Sequence, residues 1–214
     1  MTRVKQPRKY ASALRQEQAR QTRVRILEAA ERLFAAGGYA ATTIEAIAAT
    51  AAVAVDTVYA TLESKRGILS ALIGMRLGGD DQPLAMLDRP APQAMRREPD
   101  QRRQLTMFAT DIALVIERIR PVDDIIRSAS AVDENVASMR AGIQEERFRN
   151  MRVVAGWVVA NGPLRKGTSV DEAATILWTL TSPEVHRQLR DLRGWSLERY
   201  QRWLVDTTLR TLLP

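Results

Sequence analysis

Residues 42–65 read TTIEAIAATAAVAVDTVYATLESK, and their spacing predicts two short helices joined by a tight turn. Thr42 and Glu45 have the spacing of a capping box, in which a hydroxyl and a carboxylate each satisfy a free amide at a helix start. A helix should therefore begin near Thr43. Its apolar residues recur at i, i+3, i+4 and i+7, the spacing of one buried stripe. They are Ile44, Ile47, Ala48 and Ala51.

A second helix is predicted over residues 55–61, with Val58 and Leu62 facing inward. The other residues of this helix face wholly or partly outward. Two such helices predict a helix-turn-helix, in which the second helix enters the major groove of DNA. The alternative is an ordinary helical hairpin with a solvated polar face.

The outward residues are candidate DNA contacts. Thr57 and Tyr59 can donate hydrogen bonds to phosphates or base edges. Lys65 follows Ser64 at the start of the next helix, where we expect it to meet a phosphate. The full set of candidate DNA-binding residues is Thr43, Val55, Asp56, Thr57, Tyr59, Ala60, Thr61 and Lys65.

A longer helix is predicted before this pair. Residues 22–36 carry apolar side chains at helical spacing and end at Gly37 and Gly38, the residue type that closes helices in a left-handed cap. With the hairpin, this helix makes a three-helix unit.

The stretch ILEAAERLFAAGGYAATTIEAIAATAAVAVDTVYATLESKRGIL, residues 26–69, resembles the DNA-binding domain of the TetR (tetracycline-repressor) family of bacterial regulators. The similarity extends over about residues 22–72. It implies a DNA-binding helix-turn-helix domain, followed by a helical domain that binds a small effector and forms a dimer. The residues that carry it most specifically are Phe34, Gly37, Gly38, Tyr39, Thr43, Ile47, Ala48, Thr57, Tyr59, Ser64 and Lys65.

Three features depart from the family pattern: an aromatic residue commonly found near Thr61 and Leu62 is missing, and two positions in the turn differ. Ala52 stands where the family usually has glycine, which costs about 1 kcal/mol if the backbone there is left-handed. Ala54 stands where the family usually has a capping serine or threonine. Asp56 can compensate, because a carboxylate in the first turn interacts favourably with the helix dipole.

Positive charge is concentrated at the N-terminus. The formal net charge of the chain is +7, and residues 1–25 hold eight basic side chains against Glu17 alone. We predict that residues 1–21 form a basic flexible arm that follows the DNA backbone or enters the minor groove. The alternative is a solubilising tail. Deletion of residues 1–15 should weaken DNA binding and flatten its salt dependence.

The composition argues against an enzyme. The chain has no cysteine and one histidine, His186, which we expect at the surface. Neither a catalytic triad nor a metal site with several histidines can be assembled, and no metal or cofactor is predicted. No signal peptide or continuous apolar run predicts membrane association, so we expect a cytoplasmic protein.

The rest of the chain is helical in period, which predicts an all-α fold. Residues 78–100, with their prolines and glycines, are predicted to be a connector between a helix-turn-helix domain at 22–77 and a second domain at 101–214. Pro121 should separate two helices, and Pro183 should kink one. The helices of the second domain are predicted at residues 101–119, 122–130, 133–161, 170–190 and 196–212.

The last two predicted helices carry more apolar residues than one inward stripe requires. We therefore predict a homodimer formed through about residues 170–213, with two helices from each subunit at the interface. The alternative is a large monomeric core.

Methionine and aromatic side chains in the second domain predict an adaptable, largely apolar effector pocket. The alternative is that these stripes are core. Asp111 lies at the edge of the apolar face of its helix, where it can pair with a cationic effector or face solvent. The candidate pocket residues are Met107, Phe108, Asp111, Ile112, Met139, Ile143, Met151, Trp157 and Trp178.

Together these features predict an all-α homodimeric transcriptional repressor that binds a palindromic double-stranded DNA operator and is released by a small-molecule effector. Two other classes of protein remain open. One is a helical small-molecule-binding protein whose helix-turn-helix no longer reads DNA. The other is an architectural protein that binds any duplex through its basic arm.

Overall fold

A computed structural model describes residues 8–80, 82 and 84–214, with side chains from residue 14 onward. These residues form ten α-helices and no strand, which confirms the all-α prediction. The first four helices are α1 (Arg8–Gly37), α2 (Ile44–Ala51), α3 (Val55–Leu62) and α4 (Lys65–Gly78). The next three are α5 (Pro90–Arg97), α6 (Gln101–Ala129) and α7 (Glu134–Ala160). The last three are α8 (Val170–Leu180), α9 (Pro183–Arg187) and α10 (Leu197–Leu212).

Helix α1 begins well before residue 22, so the predicted flexible arm is wrong over residues 8–21. This part is rich in Gln, Ala and Arg, which favour helix. Glu17 accepts hydrogen bonds from Arg20 at 2.7 and 2.9 Å and from Gln21 at 2.8 Å. This part of α1 is largely exposed to solvent. It therefore has no apolar stripe from which a helix could be predicted. The remainder of the predicted arm, residues 1–7, lies outside the described residues.

Helices α2 and α3 lie where the sequence predicts them and meet at 103°. The cap of α2 differs from the prediction by one residue. Thr43, not Thr42, is the N-cap, and its Oγ1 accepts a hydrogen bond from the amide of Ala46 at 3.1 Å. Thr42 is buried, and its hydroxyl donates to the carbonyl oxygen of Gly38 at 2.8 Å. Thr42 therefore ties the end of α1 to the start of α2.

The predicted connector at 78–100 contains helical structure. A single 3₁₀ turn (Met86–Asp88) precedes α5, whose first residue is Pro90. A proline in the first turn of a helix has no amide whose hydrogen bond is lost, so it starts α5 rather than preventing it. Met95 of α5 is buried, with 4 % of its surface exposed.

Helix α6 passes through Pro121 without a break, so the prediction of two separate helices is wrong. An interior proline costs about 3 kcal/mol or more. Pro121 itself faces solvent, and the buried stripe continues on both sides of it. This stripe includes Ile116, Ile119, Val122, Ile125 and Ile126. Burial of these side chains, at about 1.5–3 kcal/mol each, outweighs the lost backbone hydrogen bond.

Pro183 breaks the predicted helix at residues 170–190 instead of kinking it. Helix α8 ends at Leu180, Ser182 caps α9 through the amide of Val185 at 3.1 Å, and Pro183 is the first residue of α9. A π-helical turn (Gln188–Leu192) follows. The ends of α7 and α10 agree with the predictions to within one residue.

Residues 22–78, which we call the head, share one core with the C-terminal half of α6. Buried side chains of α1 to α4 pack in a single cluster with Val122, Ile125 and Ile126 of α6 and Val136 of α7. Two further clusters fill the rest of the helical layers. In the described part of the chain, no single helix has the length and apolar composition of a membrane span. Only the bent pair of α2 and α3 passes that test, by length and composition alone.

Candidate nucleic-acid interface and internal cavity

The turn between α2 and α3 is held by backbone geometry rather than by side-chain caps. Ala52 adopts the left-handed conformation, with φ 54° and ψ 51°, as the sequence suggested. Its amide and that of Val53 close the end of α2. Ala54 is the N-cap of α3 and makes no side-chain cap hydrogen bond. Ala52 and Ala54, two of the departures from the family pattern, therefore weaken the turn, and Asp56 is the acidic residue in the first turn of α3.

One face of α3 is open to solvent. Val58 and Leu62 are buried, with 1 % and 5 % of their surface exposed, as the spacing predicts. Tyr59 is 48 % exposed, which is a large solvent-accessible fraction for an aromatic side chain. Asp56 and Ala60 are also exposed, whereas Val55, Thr57 and Thr61 are half-buried. The Thr61 hydroxyl donates to the carbonyl oxygen of Thr57 at 2.6 Å, so this donor is already used.

Lys65, a predicted phosphate contact, makes polar contacts within the chain. Its ammonium donates to the carbonyl oxygens of Tyr39 at 2.8 Å, Thr42 at 2.9 Å and Ala40 at 3.4 Å. It also lies 4.3 Å from the centre of the Tyr39 ring, in a cation–π contact. An ammonium has three donors, and all three point at carbonyls. Lys65 therefore fastens the α1–α2 loop to the start of α4.

Arg66 is the cation that the sequence interpretation missed. It follows Lys65 at the start of α4, is exposed, and forms no hydrogen bond or ion pair with any described residue. Its position beside Lys65 hid it, because the resemblance to the family assigned the phosphate contact to the lysine. Ser64 caps the same helix by accepting from the amide of Gly67 at 3.0 Å. The free guanidinium thus lies beside a helix N-terminus, where anions are favoured.

The turn from α3 into α4 is unusually tight. Glu63 has φ 61° and ψ −41°, and the amide of Ser64 bonds back to the carbonyl of Leu62 at 2.6 Å. This is a γ-turn, a strained three-residue turn. A Cβ at Gly67 would collide with the carbonyl oxygen of Leu62, so only glycine fits there. The turn fixes α3 closely against α4.

A cavity of about 360 Å³ lies between α4, α5, α6 and α7. Seven of the nine candidate pocket residues line it: Met107, Phe108, Asp111, Ile112, Met139, Ile143 and Met151. Trp157 and Trp178 do not; both pack at the side of another core cluster. Trp157 lies under Arg96 and Trp178 under Arg147, so each ring covers a cation instead of facing the cavity.

The sequence interpretation missed the wall that α4 and the connector provide. Ile73, Gly74 and Leu77 of α4 face the cavity, as do Leu84 to Leu87 and Arg89 of the connector. Arg89 donates to Asp80 at 3.0 Å and to the carbonyl oxygens of Gly78 and Gln82. This side chain rests on Gly78, where a Cβ would collide with the guanidinium. A connector that was expected to be irregular is thus pinned over one end of the cavity.

Four ionisable side chains stand on the cavity wall away from the connector: Asp111, Asp123, Glu146 and Arg147. Burial raises the pKa of the Asp111 carboxyl, and Arg118 opposes this only in part. Burial also raises the pKa of Asp123, and the charge of Glu184 adds to the effect. Burial lowers the pKa of the Arg147 guanidinium to about 10. Nη1 and Nη2 of Arg147 both donate to the carbonyl oxygen of Trp178, at 2.7 and 2.6 Å.

His186 is fully buried, so its expected surface position is wrong. Its Nε2 lies 2.8 Å from Oε2 of Glu117, and the ring meets Tyr200 edge-on with centroids 4.9 Å apart. Arg190 donates to both oxygens of Glu117, at 3.0 and 3.2 Å. The carboxylate of Glu117 is thus held by Arg190 and His186, and these contacts give the cluster a structural role. Among the described residues, no group of three or more His, Asp or Glu side chains is arranged to bind a metal ion.

The sequence profile of the family described as "Bacterial regulatory proteins, tetR family" matches residues 26–72. No curated protein sequence is significantly similar to the chain.

Solved structures share the fold over almost the whole chain. NalD of Pseudomonas aeruginosa, described as the secondary repressor of the MexAB-OprM multidrug efflux pump, is 20 % identical with a TM-score of 0.67; the match covers 90 % of this chain and 96 % of that one. The SmeT–triclosan complex is 22 % identical with a TM-score of 0.66, covering 90 % and 92 %. SmeT is described as the repressor of the Stenotrophomonas maltophilia multidrug efflux pump SmeDEF.

A Saccharomonospora viridis protein solved in complex with choline is 20 % identical with a TM-score of 0.64, covering 90 % and 97 % of the two chains. At sequence identities this low, the structural similarity shows a shared fold and nothing more. The family profile covers the helix-turn-helix, whose turn, exposed α3 face and buried stripes the structure reproduces. Residues 26–72 are therefore similar to the tetR family of bacterial regulatory proteins, and the chain shares its fold with SmeT and NalD.

Proposed function

We propose that this regulator is a homodimeric transcriptional repressor, which binds a palindromic operator in the cytoplasm and is released when a small molecule occupies the cavity. In this proposal, residues 22–77 bind DNA, and residues 101–214 bind the effector and form the dimer. The observation that carries the proposal is that α4 belongs to both parts. Ile68, Leu69 and Leu72 are fully buried in the core of the head, whereas Ile73 and Leu77 line the cavity.

A ligand that moves α4 would therefore move the DNA-binding helices with it. Two polar links make α4 a rigid connection. The side chain of Arg76 pairs with Glu31 of α1, and Arg118 of α6 donates at 3.4 Å to the carbonyl oxygens of Arg76 and Leu77. Release then is a population shift: the effector must bind the DNA-incompatible arrangement about 10⁴-fold better to reverse a strongly biased equilibrium.

Tyr59 is our first candidate for a base or phosphate contact, since it is the large exposed side chain of α3. Asp56, Thr57 and Ala60 stand on the same helix, and Val55 and Thr61 flank them. Thr43 caps α2 and leaves the free amides at that helix start available to a phosphate. The role of Lys65 is to position the α1–α2 loop, and Arg66 supplies the phosphate contact in its place.

The dimer would form through α8 and α10, as the sequence predicts. Ile176, Leu180, Trp203 and Val205 on these helices are only half-buried in the single chain. Pairing of two helices from each subunit would cover them, and would place two heads about one DNA turn, roughly 34 Å, apart. Sedimentation at micromolar concentration tests this: a monomer mass would rule out the dimer.

The experiment that tests the function is selection of genomic fragments by the purified protein at physiological salt. Tyr59→Ala is compared with the parent, and Val159→Ala, which trims an exposed apolar side chain at the far end of α7, is the control. The parent and the control should recover one palindromic motif, and Tyr59→Ala should bind it about tenfold or more weakly.

The other outcomes each overturn the proposal. Recovery of unpatterned fragments by all three proteins would make the chain an architectural DNA binder. Recovery of nothing would make it a ligand-binding protein with a helix-turn-helix that no longer reads DNA.

A further inference from the structure

The cavity is long relative to its volume. Its lining on α6 runs from Met107 to Asp123, which spans about 24 Å at the helical rise of 1.5 Å per residue. Five of the seven methionines of the chain line it, a flexible and polarisable surface that adapts to varied apolar bodies. They are Met86, Met95, Met107, Met139 and Met151. The shape and the lining fit an extended, largely apolar molecule.

The cationic side chains on the cavity wall are already engaged. Arg89 forms an ion pair with Asp80 at 3.0 Å and donates to two backbone carbonyls. Arg147 donates twice to the carbonyl oxygen of Trp178 and stacks on its ring, with 4.8 Å between the guanidinium carbon and the ring centre. Neither guanidinium is directed at the cavity as an open anion site.

Three carboxylates line the same wall; Glu146 is exposed to solvent, whereas Asp111 and Asp123 are partly or largely buried. Asp111 is half-buried, and forms no hydrogen bond or ion pair with any residue that the structure describes. Asp123 has only 7 % of its surface exposed, and its Oδ2 has no hydrogen-bond partner there; the nearest cation is Arg187, at 3.8 Å. Partial burial of the Asp111 carboxylate, and burial of Asp123 Oδ2 without a hydrogen-bond partner, are unfavourable, and a cation in the cavity would offset this cost.

We propose that the cavity binds an elongated amphipathic organic cation, such as an alkylammonium, with its positive group against Asp111 and its apolar body along the methionines. This rests on the proposed function only in identifying the occupant with the effector. Asp111 is the anchor because Asp123 already has Arg140 and Arg187 acting on it, whereas Asp111 has Arg118 alone. Asp123 stands at the far end, where it attracts any second polar group.

Binding of three probes with the same alkyl chain separates charge from apolar burial. We would measure decyltrimethylammonium, the neutral decyldimethylphosphine oxide and decyl sulfate by calorimetry, each below its micelle concentration, on the full chain without DNA. The cation should bind about tenfold or more tightly than the neutral probe. Equal affinity for all three probes, or a preference for the sulfate, would overturn the proposal using the parent protein alone.

Variants locate the charge. Asp111→Asn should reduce the affinity for the cation to that for the neutral probe, while leaving the neutral probe unaffected. Glu145→Gln removes a charge from the exposed side of α7, outside the cavity lining, and should change neither. A cation preference that survives in Asp111→Asn but is lost in Asp123→Asn would overturn the assignment to Asp111.

A final measurement distinguishes this inference from the proposed function. The probes are added to the protein bound to its selected operator. Charge-selective binding that leaves the operator bound would retain the cation site and contradict the effector-release mechanism. Release by the neutral probe and the cation at equal concentrations would retain the mechanism and contradict the cation site.

Discussion

The ammonium of Lys65 lies 2.8 Å from the carbonyl oxygen of Tyr39 and over the ring of the same residue. One side chain therefore closes the loop between α1 and α2 and fixes the start of α4 against it. This contact turns a residue that resembles a phosphate ligand into a part of the framework that presents α3.

Lys65→Met keeps the length of the side chain and removes its donors. The carbonyls of Tyr39 and Thr42 lose a charged partner, so the free energy of unfolding should fall by roughly 1–3 kcal/mol. Urea unfolding followed by circular dichroism measures this. An unchanged free energy of unfolding together with weakened DNA binding would return Lys65 to the role of a phosphate ligand.

Arg66→Gln should weaken DNA binding and leave the free energy of unfolding almost unchanged. The guanidinium forms no hydrogen bond or ion pair with any described residue, so stability should stay within about 0.5 kcal/mol of the parent. DNA affinity should fall, and the slope of log K against log salt should decrease by about 1, as for the loss of one phosphate contact. Titrations of operator DNA at several salt concentrations test this. A slope equal to that of the parent would show that Arg66 does not touch the backbone.

Ala52→Gly should raise the free energy of unfolding by about 1 kcal/mol, because φ is 54° at this position and glycine adopts that conformation without penalty. The matched control is Ala49→Gly on the exposed side of α2, where the same change should lower stability by roughly 0.5–1 kcal/mol. Thermal or urea unfolding of both variants gives the comparison. Destabilisation by both variants would contradict the strain assigned to Ala52.

His186 should make the protein less stable in mild acid. Burial lowers the pKa of His186 below its ordinary value of 6.5, and Arg120 and Arg190 also lower it; the hydrogen bond and charge of Glu117 oppose this only in part. The unfolded chain therefore binds a proton more readily than the folded one. The contribution of His186 to stability is complete above about pH 6.5 and is lost as the pH falls towards the folded pKa.

His186→Gln removes this titration. The variant should be less stable at pH 7, and its free energy of unfolding should vary less between pH 7 and pH 5 than that of the parent. Because Asp111 and Asp123 have raised pKa values and act with the opposite sign, only the difference between the two proteins isolates His186. Parallel pH profiles would contradict a proton-linked role for this histidine.

The head could be predicted closely from the sequence because its helices are amphipathic and its turn residues are local signals. The stripe from Ile44 to Ala51 and the inward pair Val58 and Leu62 followed directly from spacing. The left-handed Ala52 followed from the family pattern. The neighbouring residues of Lys65 do not reveal its hydrogen-bond partners. In the structure these partners are backbone carbonyls, and nothing in the local sequence distinguishes them from a phosphate.

The predictions for the prolines and for His186 failed for a related reason, because their environments depend on residues that are distant in the sequence. Pro121, Pro90 and Pro183 have the same covalent restriction, yet one lies inside a helix and two start helices, because burial on either side decides the outcome. His186 was placed at the surface by its polar neighbours, whereas Glu117, 69 positions away, provides its partner. The cavity was predicted through its α6 and α7 walls and missed along α4, since Ile73 and Leu77 are indistinguishable in sequence from the core residues beside them.

The shared core of the head and α6 limits how this regulator can be rebuilt. Val122, Ile125 and Ile126 belong to the same packed cluster as the helix-turn-helix. A fragment that stops at residue 78 would expose the surface that these side chains cover. Chimeras that exchange DNA specificity between regulators should therefore join the chains within the connector and also carry matching residues at the end of α6. A head that is exchanged alone would pack against α6 residues that do not match it. The chimera would lose cooperativity of unfolding before it lost affinity for its operator.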